Sequence, residues 1–477
     1  WSKSLKCGNV RSINSALYPG SFDPITKGHM NIIEQALQKT RDTRALILEK
    51  GAMERTAEMF TELFPGKKSV VVADNNTWKV AGKRGAEVLE EAGLKGAEPF
   101  IFDDPDLFAE WGFEQQLQKY LAQYDVVAVA VGSGVINDLT KYASKELGRP
   151  YMIVGTAASM DGYTAYGASI SIDGNKQTLD CPAPKGMILD PTVSAEAPKE
   201  LVASGYADLI AKIPSGADWM LAQIAGAEKI DRFSWSLVQD GLKESLASPA
   251  AVFNRDIEKV EQLCSGLLMS GFAMQAMQSS RPASGTEHQF SHCWDMENLS
   301  YPDGKHVSHG FKVGIGTLVS TAALEFLSEK DLQAIDIERC LSVWPEWEEL
   351  EKRLHLLFEG KPGHLARALK ETKGKYVSRE ELRRQLTALQ EEWPETRKKI
   401  SEQIIPFGRV KESLKLVGAP YEPEMICVSR EHLRKTFPYI PYMRSRFTGI
   451  DVIYRFDLMD ELDEKLFGKG GYWEVNR

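Results

Sequence analysis

The chain has 477 residues, 43% hydrophobic and 26% charged, with a formal net charge of −9. That length exceeds one hydrophobic core and suits two or three domains of about 150 residues each. The acidic balance leaves no electrostatic footprint for nucleic acid, and an anionic substrate would need a locally basic pocket.

In chain order, residues 45–190 alternate between apolar runs and helical periodicities. Ala45-Leu-Ile-Leu48 is a short apolar run, followed by an amphipathic stretch to Phe64 and a Pro65-Gly66 break. Ser69-Val-Val-Val-Ala73 reads as a buried strand ending at Asp74, and Trp78–Ala92 as a helix stopped by Gly93. Pro99-Phe-Ile-Phe102 is another apolar run, Phe113–Gln123 is helical, and Asp125–Val131 is the strongest strand signal. Continuous apolar strands separated by helices predict a parallel sheet covered on both faces.

Beyond Pro191 the pattern becomes helical: Leu201–Ile213, Leu237–Ser245, Asp256–Met277 and Phe311–Leu327. Residues 346–405 are highly charged and helical, with Ser378-Arg-Glu-Glu381 spaced as a capping box. The expected architecture is therefore an α/β domain with a parallel sheet over 31–190 and an all-α domain over 191–345. The glycine loop at 132–134 makes the first the candidate dinucleotide-binding domain, and Asp208 with the clustered histidines makes the second the candidate metal-binding, catalytic one. Residues 346–477 are expected as a helical extension packed on the latter. Six scattered cysteines without a C-x-x-C pair fit reduced thiols in a cytoplasmic protein. No uninterrupted apolar run is long enough to span a bilayer, and the opening residues lack a signal-peptide core.

The strand ending at Val131 runs into Gly132-Ser133-Gly134 and then a helix that carries Asp138. Glycines permit close backbone approach, and a helix N-terminus offers N–H groups and a positive dipole end to a pyrophosphate. An ordinary tight turn has the same sequence signature. Asp74, at the end of an earlier strand, reads either as a ribose partner or as a helix cap.

Asp208 interrupts an otherwise apolar helix, so it must be paired, protonated or bound to a metal. His288 and His292 share one helical face, and His309 opens another helix. Four of the chain's eight histidines fall at 288, 292, 306 and 309. Two imidazoles and a carboxylate suit a catalytic divalent ion.

The Gly132–Asp138 segment, with Lys141 one turn on, resembles the Gly-Gly-Gly-Ser-x-x-Asp-x-x-Lys loop of the iron-containing alcohol dehydrogenase and dehydroquinate synthase-like superfamily, with Ser133 in place of a glycine. Thr156-Ala-Ala-Ser159-Met-Asp161-Gly-Tyr-Thr and Arg281-Pro-Ala-Ser284-Gly-Thr-Glu-His288-Gln-Phe-Ser-His292 resemble its glycerol and glycerol-1-phosphate dehydrogenase branch. So does Arg444-Ser-Arg446-Phe-Thr. The resemblance runs from about residue 31 to the C-terminus. It implies NADH or NADPH and one divalent ion (zinc, nickel or iron) held by Asp208, His288 and His309. It also implies reversible hydride transfer to the ketone of dihydroxyacetone phosphate, toward glycerol 1-phosphate for lipid synthesis.

On the same resemblance, Gly132, Ser133, Gly134 and Asp138 would hold the pyrophosphate and nearby ribose. Thr156 and Ser159 would flank the nicotinamide half, and Asp161 would orient a substrate hydroxyl. His292 reads as a proton relay or as a supporting or core histidine. Arg281 and Ser284 read as donors to the substrate phosphate, or Arg281 as a helix-end ion pair. A small-molecule substrate and a possible homodimer are expected. A polyol dehydrogenase and a dehydroquinate synthase-like cyclase are the rival readings. Tyr18-Pro-Gly-Ser-Phe-Asp-Pro-Ile-Thr26-Lys-Gly-His29 resembles the Thr-x-Gly-His loop of nucleotidyltransferases. No room remains for that whole domain, so residues 1–30 are expected to be a nonfunctional extension, a gene-fusion remnant or a chance match, with nucleotidyl transfer through Thr26 and His29 as a further rival reading.

Overall fold

The computed structural model describes residues 34–172 and 175–475. The nucleotidyltransferase-like loop of Tyr18–His29 lies outside them.

The chain forms two compact units. The first is built on a six-stranded, all-parallel sheet of β1 (Ala45–Leu48), β2 (Lys68–Asp74), β3 (Phe100–Phe102), β4 (Val126–Gly132), β5 (Tyr151–Gly155) and β8 (Gly186–Leu189). Between the last two, β6 (Ala168–Ile172) and β7 (Asn175–Leu179) make a separate two-stranded sheet. The large sheet runs β1-β8-β5-β4-β2-β3. All seven residues of β4 are buried, which explains its unbroken apolar sequence: helices cover both faces of a parallel sheet. Two strands that were not singled out from sequence, β5 and β8, are the central partners of β4 and β1.

The order has a functional consequence. From β2 the chain steps outward to β3, then returns to pair on the other side of β2 as β4 and proceeds to β5. The β2/β4 pair is thus where the direction of winding reverses, and ligands of open α/β sheets bind at the carboxyl ends of strands at that point. Those ends are Asp74 and Gly132.

The predicted Trp78–Ala92 helix is one helical stretch whose turns change character. A short α segment at Asn75–Thr77 and a π turn at Trp78–Gly82 precede the regular Lys83–Glu91 helix.

The helix Ile257–Met277, read from sequence as part of a 191–345 domain, groups with the first unit instead. Its polar side chains explain this. Ser270 Oγ donates to Asp161 Oδ2 at 2.8 Å, and Gln275 Nε2 donates to Thr43 Oγ1 and the Thr164 carbonyl at 2.9 and 2.7 Å. Helical periodicity specifies a buried face but not what that face is buried against.

The second unit holds Lys199–Asn254 and the chain from Ser279 onward, so the 346–477 segment shares one compact unit with the helices that carry Asp208, His288 and His309. At its centre is the His309–Glu329 helix. It has the length and hydropathy, 1.3, of a membrane span, but 94% of that window is buried inside the protein. Two glycines let neighbouring helices touch it. A Cβ on Gly310 would stand 1.9 Å from the Ser204 carbonyl oxygen, and one on Gly316 would stand 2.4 Å from that of Glu287. Backbone thus packs against backbone, which draws the Lys199–Ile210 and Thr286–Met296 helices together around the start of the central one.

The charged C-terminal region forms helices Trp347–Leu357, Pro362–Lys375 and Arg379–Gln403. Ser378 caps the last of these by accepting from Glu381 N at 3.2 Å. The reciprocal half of the expected capping box is absent, because the Glu381 carboxylate is bonded to Arg384 and Gln385.

Candidate metal centre and cofactor loop

Asp208 sits in the Lys199–Ile210 helix, His288 in the Thr286–Met296 helix, and His309 is the first residue of the central helix. Ligand atoms from the three lie within 4.8 Å of one another. That spacing accommodates a divalent ion with bonds of about 2.0–2.2 Å to nitrogen and oxygen, and the one-carboxylate, two-imidazole set matches the chemistry of such an ion. Asp208 is fully buried and His288 nearly so.

The surroundings prepare both ligands. His288 Nδ1 lies 2.8 Å from Glu287 Oε1, which also accepts from Gly285 N at 2.5 Å. An Nδ1–H donated to Glu287 leaves the His288 Nε2 lone pair for a metal, and Nε2 lies 3.8 Å from Asp208 Oδ1. Burial, with Lys212 adding, holds the His288 imidazole well below its ordinary pKa, so it stands neutral and ready to ligate. Burial alone would raise the Asp208 carboxyl, but Lys212, followed by His309, outweighs it and pulls the group well below the usual carboxylate range. Burial pushes Glu287 up to about 7.

His292 and His306 do not join the cluster. His306 is exposed. His292 Nε2 faces Arg444 Nη2 at 2.9 Å. A guanidinium can only donate, so Nε2 must accept and the ring is neutral. Burial and Arg444 both depress its pKa. This contact turns His292 toward Arg444 and not toward the three converging side chains.

In the first unit, β4 delivers Gly132-Ser133-Gly134 to the N-terminus of the Gly134–Glu146 helix. Ser133 occupies the cap position without a side-chain cap bond. Gly132 is required sterically, since a Cβ there would lie 2.6 Å from Ile136 Cβ. Asp74 takes the cap reading: its Oδ1 accepts from Asn76 N and Thr77 N at 2.8 and 2.9 Å. Asp138 Oδ2 accepts from Ser169 N at 3.2 Å. Thr156 N donates to the Gly132 carbonyl at 3.1 Å, tying the ends of β4 and β5 together. Ser159 Oγ lies 3.5 Å from the Tyr163 hydroxyl. Asp161, held by Ser270, belongs to this unit, whereas Asp208, His288 and His309 belong to the other.

These two constellations agree with what the chain is similar to. The sequence profile described as iron-containing alcohol dehydrogenase matches residues 47–198. The glycerol-1-phosphate dehydrogenase [NAD(P)+] of Bacillus licheniformis is 26% identical over 422 residues, 88% of this chain and 90% of that one. The Pyrococcus furiosus enzyme of the same name is 31% identical over 280 residues, 58% of this chain and 77% of that one. This chain belongs to the iron-containing alcohol dehydrogenase family. The fold agrees: a probable glycerol dehydrogenase from Sinorhizobium meliloti superposes with a TM-score of 0.56 at 15% identity, over 88% of this chain and 96% of that one.

In this family member, Arg281 takes the ion-pair reading. It is buried, its Nε lies 2.7 Å from Glu228 Oε2 and its Nη2 donates to the Asp218 carbonyl at 3.1 Å. Ser284 is occupied by Arg446, whose Nη1 donates to its carbonyl and hydroxyl oxygens at 2.8 and 2.6 Å. Sequence reasoning assigned no role to Lys212, Glu287, Arg444 or Arg446. The available signal was a Glu directly before His288 and a Lys four residues after Asp208.

Proposed function

We propose that this chain catalyses the reversible, NADH- or NADPH-dependent reduction of dihydroxyacetone phosphate to sn-glycerol 1-phosphate. The observation that carries the proposal is the convergence of Asp208, His288 and His309 from three helices, in a chain whose relatives bear that activity in their names. A divalent ion held there supplies electrophilic polarisation of the ketone oxygen, and a bound reduced nicotinamide supplies the hydride.

The chain's own residues do the rest. Glu287 fixes the His288 tautomer that presents Nε2. Gly132, Ser133 and Gly134 present a helix N-terminus at the sheet's switch point, where a pyrophosphate gains both backbone donors and the helix dipole. Thr156 and Ser159 extend that edge toward the nicotinamide, and Asp161, braced by Ser270, accepts from a substrate hydroxyl. Four of the five described cysteines are buried and all five are free thiols, which suits a cytoplasmic setting.

The test follows nicotinamide absorbance with dihydroxyacetone phosphate, before and after chelation and metal restoration. Metal-dependent oxidation, with a much lower rate on dihydroxyacetone, is expected. No oxidation with any restored metal rejects the proposal. Equal rates on the free and phosphorylated ketone replace it with a polyol dehydrogenase.

A further inference from the structure

We infer that Arg444 and Arg446 form the seat for the phosphate of the substrate, an inference that rests on the function proposed above. Both are half-buried, two residues apart in the Arg444-Ser-Arg446 segment. Arg446 is anchored entirely on neutral groups: the Ser284 carbonyl and hydroxyl, and Ser280 Oγ at 2.9 Å. Arg444 donates through Nη2 to the neutral His292 ring, and its Nε is buried with no hydrogen-bond partner. Among the described residues no carboxylate forms an ion pair with either guanidinium. Arg281, by contrast, has Glu228.

Two neighbouring cations, each partly withdrawn from water and neither in an ion pair, are costly, although Glu371 beside Arg444 and Glu228 and Glu287 beside Arg446 offset part of that cost. The cost is visible in their protonation. Burial, then Arg367, pulls Arg444 down to about 10, while burial, then Arg444 and Arg281, pulls Arg446 down to about 9. A dianion seated on both would remove that penalty, and guanidinium forks match the oxygens of a phosphate ester.

Placement favours a phosphate on this particular substrate class. His288 and His292 lie on one face of the Thr286–Met296 helix, one turn apart, which is about 5–6 Å. The first is a metal ligand and the second holds Arg444. One helix turn therefore separates the electrophilic end from the cationic end, of the order of the carbonyl-to-phosphorus span in a three-carbon ketone phosphate. The serines that anchor Arg446 flank the turn that leads into the same helix.

The test titrates inorganic phosphate calorimetrically into the metal-loaded full chain and into Arg444→Met, Arg446→Met and Arg446→Lys. Phosphate is expected to bind the wild type, with affinity at least tenfold weaker in each Met variant and partly kept in the Lys variant. In parallel, kcat/KM on dihydroxyacetone phosphate, divided by that on dihydroxyacetone, is expected to fall about 100-fold in the Met variants, roughly the loss of two charge-assisted contacts. Should a Met variant not fold, phosphate protection of Arg444 and Arg446 from phenylglyoxal in the wild type, read by peptide mass, takes its place. No phosphate binding to the wild type, equal binding in all variants, or an unchanged substrate ratio overturns the seat. Phosphate bound through the arginines in a protein that reduces no dihydroxyacetone phosphate leaves the seat standing and rejects the proposed function.

Discussion

Lys212 Nζ lies 2.7 Å from Asp208 Oδ1, one helical turn away in sequence, and both side chains are fully buried. Their burial is tolerable only because each neutralises the other, and a metal ion on Asp208 adds a second positive charge to the same carboxylate. Lys212→Met is therefore expected to destabilise the two forms unequally. The metal-free protein is left with a buried carboxylate lacking its main partner and should lose about 3–5 kcal/mol. The metal-loaded protein should lose much less, because the ion replaces the ammonium. Melting curves with chelator and with restored metal would show a larger metal-induced shift in the variant than in the wild type. An equal loss in both forms would sink the argument.

Glu287 meets His288 Nδ1 through one oxygen. Glu287→Gln keeps the size but replaces a carboxyl oxygen that accepts from Nδ1 with an amide that can flip to present a donor. Removing such a partner typically costs 10–100-fold in metal affinity. Competition with a chromophoric chelator should show a weakening in that range, with little change in the melting temperature of the metal-free protein. Unchanged affinity would mean that the imidazole is oriented by packing alone.

These two partners mark where the sequence stopped being legible. Asp208, His288 and His309 stood out because a charge in an apolar helix, or a histidine cluster, is costly unless used. Lys212 and Glu287 carry no such signal, because standing next to a candidate ligand in sequence does not say that a charge is buried, as both are. The long strands β2 and β4 were readable as unbroken apolar runs, whereas β5 and β8 are short and follow closely on Pro150 and Pro184. The predicted helix over 201–213 is two helices, with Ala211 capping the second. The membership of Ile257–Met277 depended on bonds from Ser270 and Gln275 to residues more than a hundred positions away, which periodicity does not encode. Arg444 and Arg446 reach the site over similar distances, 152 and 162 positions from His292 and Ser284.

Lys141 belongs to the cofactor-loop motif, yet its ammonium points away from any ligand role. It is buried and donates to the carbonyls of Gly162, Ala165 and Gly167 at 3.1, 3.0 and 3.0 Å. One side chain thus clamps the loop that follows Asp161. Lys141→Met would strand three carbonyls and is expected to cost about 3 kcal/mol or more, since hydrogen bonds to charged groups are worth about 1.5–3 each. Limited proteolysis should then cut within 160–170 at a rate at least tenfold above wild type. A variant as resistant as the wild type would show that packing alone holds the loop.

Glu114 gives a pH dependence that is independent of the metal centre. It lies in the Trp111–Leu121 helix, fully buried, and neither carboxylate oxygen has a hydrogen-bond partner. Burial, reinforced by Glu146 and opposed by Lys145, pushes its carboxyl from 4.5 up to about 7. Because the folded value is raised, the folded state binds more protons than the unfolded chain between those two pH values. Its stabilising contribution is then complete below pH 4.5 and is lost as pH rises through about 7. Glu114→Leu removes the titration and the ionised group it buries at high pH. Calorimetric scans between about pH 5 and pH 8 should show a steeper decline in melting temperature for the wild type than for the variant, with the variant the more stable of the two at the alkaline end. Parallel declines would mean that Glu114 gains a partner on ionisation, and that the absence of one in its surroundings does not govern its charge.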